Sequence, residues 1–185
     1  VAAGPLDNLE DADNVILMPL TGYWYSYNDA TGMQTPPQDA TGANPWPPTP
    51  GGSTTSPMFA ACSKGSNFTM WGAGIGFNVM DLGAGKVCPM NLSSTMGVRF
   101  MAKGTTTGTT RVRLQVSTTA TASPANGGTC VAVPPAGCDY HSNADITLTP
   151  AWTPVTVLWS SLTGPATVFS PAAVLGIQFQ AYDPM

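Results

Sequence analysis

Residues 176–182 read GIQFQAY, and residues 111–116 read RVRLQV. In the first, Ile177 and Phe179 fall on one side of an extended chain, and Gln178 and Gln180 on the other. In the second, Val112, Leu114 and Val116 oppose Arg111, Arg113 and Gln115. A period of two is the signature of a β-strand with one buried face and one polar face. Antiparallel sheets carry this pattern, because one of their faces can meet water or a ligand.

The same reading extends outward. FTMWGAGIGFNV at 68–79 is a glycine-interrupted strand, and GVRFMAKG at 97–104 alternates. DITLTP at 145–150 and TPVTVLWSSL at 153–162 follow. Short strands punctuated by turn signals predict an all-β fold, an antiparallel β-sandwich or jelly roll. No helical period of useful length and no internal repeat is visible. The 185 residues are read as a single domain, 1–185. Residues 30–57 form a long Pro/Gly/Thr-rich loop with seven prolines and no periodicity, a kind of loop that is commonly functional.

Composition supports an ordered chain. It is 43% hydrophobic, which disorder lacks, although it carries 20 Gly and 18 Pro. Charged residues make up 9%, against a usual ~25%. The six cations are too few for a phosphate-binding surface, so nucleic acid is excluded as a partner. No apolar run reaches the ~18 residues of a membrane span. The chain opens with VAAGP, which reads as a processed, mature end.

Four cysteines in a Thr/Gly-rich chain point to an oxidising, extracellular or cell-surface location and two disulfides. Of the three pairings, the sequence-local one is expected: Cys62–Cys88 and Cys130–Cys138. Their spacing is not that of a zinc site, and the single histidine, His141, lies beyond Cys138.

The densest aromatic stretch is GYWYSYND, residues 22–29. As a strand it buries Trp24 and sets Tyr23, Tyr25 and Tyr27 in a row on the opposite face. Tyrosine rings stack on sugar faces while their hydroxyls stay wet, and Asn28 and Asp29 add hydrogen bonds at the strand end. Arg113, Gln115, Gln178 and Gln180 form a second polar surface with the hydrogen-bonding capacity to hold sugar hydroxyls. Trp46, fixed between prolines in the long loop, is a further ligand contact or a cover for the core. An ordinary solvated face, or a tyrosine-rich subunit interface, are the competing readings of these residues.

Catalytic chemistry is not evident. The chain has one glutamate, Glu10, so the carboxylate pair of a glycosidase is not indicated. No nucleophile elbow surrounds His141 and its neighbours Asp139, Ser142 and Asp145. GAGIG at 72–76 lacks dinucleotide-loop spacing, and its glycines read as strand bends or close packing. The stretch DNLEDADN supplies hard oxygen donors suited to Ca²⁺. Glu10, Asp11 and Asp13, with Asp183 tying in from the far end, are the expected ligands of a structural calcium. Asn67 and Asn91 stand in N-x-S/T motifs.

Taken in order, NLEDADN, GYWYSYND, WGAGIGFNV, GVRFMAKG, CDYHS before ITLT, WTPVTVLWSSL and VLGIQFQ resemble a carbohydrate-binding-module-like β-sandwich of secreted bacterial proteins. The resemblance covers nearly the whole chain and is weakest over 30–60. It implies a jelly roll, secretion, no catalysis, a structural calcium near the acidic motif, and polysaccharide binding on a sheet face or edge loops. Two departures stand out. Met101 replaces an aromatic in FMAKG, and AYDPM stands where the pattern continues into a final strand. An edge left open by a missing strand would template a neighbour's strand, which makes an extracellular filament or tube, built from copies of this chain, the alternative function.

Overall fold

The computed structural model describes residues 4–11, 13–36, 49–50, 59–83, 86–131, 137–165 and 169–183. Among them the fold is all-β and antiparallel. Its strands are β1 (Trp24–Asn28), β2 (Met33–Thr35), β3 (Thr49–Pro50), β4 (Phe59–Ala60), β5 (Lys64–Ser66), β6 (Ala73–Asn78), β7 (Gly97–Ala102), β8 (Arg111–Thr118), β9 (Ser142–Ile146), β10 (Thr153–Leu158) and β11 (Val174–Tyr182). Five of them form one sheet in the order β1-β6-β11-β8-β9. β7 and β10 make a separate two-stranded ribbon, and β2–β5 and β3–β4 are short pairs.

The register turns sequence alternation into rows across the sheet. Trp24, Phe77, Ile177, Val116 and Ser142 lie side by side, and so do Ser26, Ile75, Phe179, Leu114 and Ala144. These rows are the core face. Trp24 packs on Phe77 with ring centroids 4.7 Å apart, and Leu114 and Val116 are sealed from solvent. Burying a side chain of that size stabilises the fold by about 1.5–3 kcal/mol. The ribbon lays Val98, Phe100, Val155 and Val157 against this core, with Phe100 edge-on to Phe179 at 5.0 Å.

The opposite face carries two other rows, Tyr25–Gly76–Gln178–Gln115–Asn143 and Tyr27–Gly74–Gln180–Arg113–Asp145. The alternation in GYWYSYND, RVRLQV and GIQFQAY is thus realised on the faces expected. Several boundaries shift. The strand expected at 145–150 is β9, beginning three residues earlier at Ser142. The strand expected at 153–162 ends at Leu158 and passes into a 3-10 turn, Trp159–Ser161. β2 and β3 fall inside the stretch 30–57 that the sequence presents as loop.

One expectation is corrected. Cys130 and Cys138 form a disulfide, but Cys62 and Cys88 are free thiols. The segment between them contains β5, paired to β2, and β6, inside the five-stranded sheet, so nearness in sequence does not join them. The register also places the edges of the five-stranded sheet. β11 is paired on both sides, and the edges of the sheet are β1 and β9. Each edge is partly closed by a bridge, Val15 to Tyr23 and Thr163 to Asn143.

Candidate functional site

In these two rows β6 contributes no side chain, because its residues there are Gly74 and Gly76. A Cβ at Gly76 would stand 2.8 Å from Gln178 Cγ, and one at Gly74 would meet the Tyr27 hydroxyl. The glycines of GAGIG are therefore a trough into which neighbouring side chains lean.

One end of this face is filled by its own residues. Gln178 Nε2 donates to the Tyr25 hydroxyl at 2.9 Å, and burial pushes that hydroxyl up to about 12. Gln115 and Asn143 are buried. Nearby, His141 is buried, with Nδ1 2.9 Å from Thr121 Oγ1, and burial lowers its pKa to about 4. The picture of wet tyrosine hydroxyls is overturned here. Tyr25 is bonded, and the Tyr27 hydroxyl is buried with no hydrogen-bond partner among the described residues. Burial drives the Tyr27 pKa well up.

The other end is open, and Trp71 builds it. The Trp71 indole is 43% exposed and stacks on Tyr27 at 5.9 Å with 26° between the rings. Its backbone is pinned on both sides. Asp29 Oδ2 accepts the N–H groups of Met70 and Gly72, at 3.1 and 2.8 Å. Trp71 O accepts Gln180 Nε2 at 2.6 Å. Gly72 has φ +92°, and a Cβ there would run into Ala181 O, so only glycine lets the turn press this close to β11. Burial would raise the Asp29 carboxyl, but hydrogen bonds from Thr31, Gly72 and Met70 hold it below its ordinary value. Asp29 is thus a positioning residue for Trp71 rather than a free ligand group.

Across the trough, Arg113 donates through Nε (3.0 Å) and Nη2 (2.8 Å) to Gln180 Oε1. Its guanidinium lies 4.3 Å over the ring of Tyr182. The Tyr182 hydroxyl donates to Asp145 Oδ1 at 2.8 Å, and Arg111 Nη1 stands 3.4 Å from Asp145 Oδ2. Burial and the bond to Asp145 both raise the Tyr182 pKa.

The expected residues therefore separate. Tyr27, Arg113 and Gln180 join at the open end, whereas Tyr25, Gln115 and Gln178 make up the filled one. Tyr23 pairs with Val15 at the edge of β1. Asn28 lies on the other parity and donates to Gln34. Trp46 lies outside the described residues. Trp71, Tyr182 and Asp145 were missed as site residues. The signal for Tyr182 was in GIQFQAY itself, since it continues the parity of Gln178 and Gln180. Trp71 sits in a turn, beyond the reach of alternation.

Three of the expected calcium ligands have hydrogen-bond partners within the chain. Glu10 Oε1 accepts the Phe59 N–H, Asp13 caps Val15, and Asp183 accepts from Thr109. The carboxylate of Asp7 accepts Trp24 Nε1 at 2.6 Å, and burial raises its pKa. Among the described residues no three His, Cys, Asp or Glu side chains stand together as a metal-holding group, so nothing below is routed through a metal. No described helix is long and apolar enough to cross a membrane.

Comparison with protein-family models, with curated proteins and with solved structures finds no match to this chain in any of the three. The resemblance to carbohydrate-binding modules thus stands on its motifs alone.

Proposed function

We propose that this chain is a secreted, non-catalytic β-sandwich module that binds polysaccharide at the Trp71 end of the polar sheet face. The observation that carries this reading is Trp71 itself. A large aromatic ring is half in solvent, yet it is backed by Tyr27 and held by Asp29 and Gln180. An aromatic platform fixed before binding loses little side-chain entropy on meeting a flat ligand. Around it, Arg113, Tyr182 and Asp145 supply oriented polar groups, which gives the pairing of ring face and planar hydrogen bonds suited to a sugar. Electrophoresis through gels cast with different polysaccharides tests it. Retardation by at least one of them is expected, and Trp71→Ala should abolish it.

A second reading, self-assembly into an extracellular filament or tube, draws on the ribbon. Among the described residues neither outer edge of β7 or β10 has a strand neighbour. Met101 and Leu158 on its outward face are 47% and 45% exposed. An unpaired, apolar edge invites strand addition. Light scattering over a dilution series discriminates, because only the assembly reading expects growth with concentration.

A further inference from the structure

We infer that the sugar units bound at the Trp71 end are anionic, carrying carboxylate or sulfate groups that meet Arg113 and Arg111. The inference rests on the polysaccharide-binding reading above and narrows its ligand class. Hydrogen-bond accounting supports it. The carboxylate and amide oxygens at this end, and the Trp71 carbonyl, already receive a donor. Gln180 Oε1 takes two from Arg113, and Trp71 O takes Gln180 Nε2. Asp145 Oδ1 takes Tyr182, and Asp145 Oδ2 takes Arg111 Nη1. Donors are left over. Arg113 Nη1, and Nε and Nη2 of Arg111, have no partner among the described residues. A guanidinium donates five N–H bonds and accepts none, so a ligand that meets these side chains does so through its own acceptor oxygens.

Charge points the same way. Arg111 and Arg113 stand beside the single carboxylate of Asp145, and the other carboxylate of this end, Asp29, is occupied by Met70, Gly72 and Thr31, in a chain whose net charge is −4. Asp183, the next acidic group along β11, falls on the other parity and holds Thr109. Arg111 and Arg113 are two residues apart on one strand face, about 7 Å along the sheet. The Tyr182 ring under Arg113 fixes the plane of that guanidinium, and a fixed planar fork matches carboxylate and sulfate oxygens better than neutral hydroxyls. An exposed ion pair such as Arg111–Asp145 contributes little by itself, so it yields readily to a ligand anion.

The test is titration calorimetry of the folded chain with polygalacturonate, dextran sulfate, and neutral dextran, galactan and cello-oligosaccharides. It is run at low salt and again at about 0.5 M, where the screening length is only a few ångströms. Binding of polygalacturonate or dextran sulfate is expected, weakened by salt and by Arg111→Gln by about tenfold. Asp145→Asn should tighten the same binding several-fold, an outcome that a merely structural role for Asp145 would not produce. Arg111 is exposed, so its variant folds even if Arg113→Gln does not. Polygalacturonate binding alone selects carboxylate, and dextran sulfate alone selects sulfate; either supports the inference. Neutral polysaccharides bound equally well, with no effect of Arg111→Gln, would overturn it and leave the polysaccharide reading standing. No binding of any polysaccharide would overturn both.

Discussion

Tyr27 on β1 and Gly74 on β6 face each other so closely that a side chain at Gly74 would collide with the tyrosine hydroxyl. The missing side chain lets the Tyr27 ring lie down over the sheet, and the Trp71 ring then stacks on it at 5.9 Å. The exposed platform at the surface therefore depends on an absent Cβ in a buried strand.

Gly74→Ala should destabilise the fold by about 1–3 kcal/mol, since the added methyl overpacks a filled site. Chemical denaturation measures it. Combining Gly74→Ala with Tyr27→Ala should cost less than the sum of the two single changes, because the collision is shared.

Tyr27→Phe should do the opposite. The hydroxyl is buried and without a partner, and removing an unsatisfied group while keeping the ring raises stability by about 1 kcal/mol. A loss of stability in the denaturation curve would show that the hydroxyl has a partner after all.

Asp29→Ala should cost about 1–2 kcal/mol and also weaken polysaccharide binding, although Asp29 touches no ligand in this account. Its carboxylate holds the Met70 and Gly72 N–H groups that seat Trp71. Asp29→Asn keeps an acceptor oxygen and should recover part of both effects. Denaturation and gel retardation on the same samples check the coupling.

Stability should fall as pH drops from about 6.5 to about 4, by about 3 kcal/mol in full. Burial beside Thr121 keeps His141 neutral in the fold, while the unfolded chain takes the proton near the ordinary value of 6.5. In this window the unfolded state binds more protons, so acid favours it. Asp139 offsets part of the effect. Burial raises the Asp7 carboxyl and hydrogen bonds lower the Asp29 carboxyl, so these two act in opposite senses on the acid side. Thermal melts of His141→Gln against the unaltered chain should show the slope between pH 6.5 and 4 flattened.

Alkylation of the native, unreduced protein should modify Cys62 and Cys88 and spare Cys130 and Cys138. Replacing Cys130 and Cys138 by serine should cost about 2.5 kcal/mol, the loop-closure entropy of a short ring. Peptide mass mapping and denaturation read the two outcomes.

Much of the fold was legible because alternation is a local signal. Val112–Leu114–Val116 and Ile177–Phe179 announced the core face, and the register then aligned them with Trp24 and Phe77. Less of the site was legible, because it depends on which residues different strands bring together. Gln115, Gln178 and Gln180 look alike in sequence, yet Gln115 is buried and Gln180 is committed to Arg113 and Trp71. Trp71 was invisible as a platform because its place comes from a glycine turn and two hydrogen bonds to Asp29. The Cys62–Cys88 pairing failed for a similar reason, since nearness in sequence says nothing about which sheet the intervening strands join.

The most direct measurement is the retardation of the unaltered chain and of Trp71→Ala in polysaccharide gels, run side by side with circular dichroism to confirm that both are folded. The account predicts that at least one polysaccharide slows the unaltered chain and leaves Trp71→Ala moving freely. Equal retardation of the two folded proteins, or none of either, would contradict it.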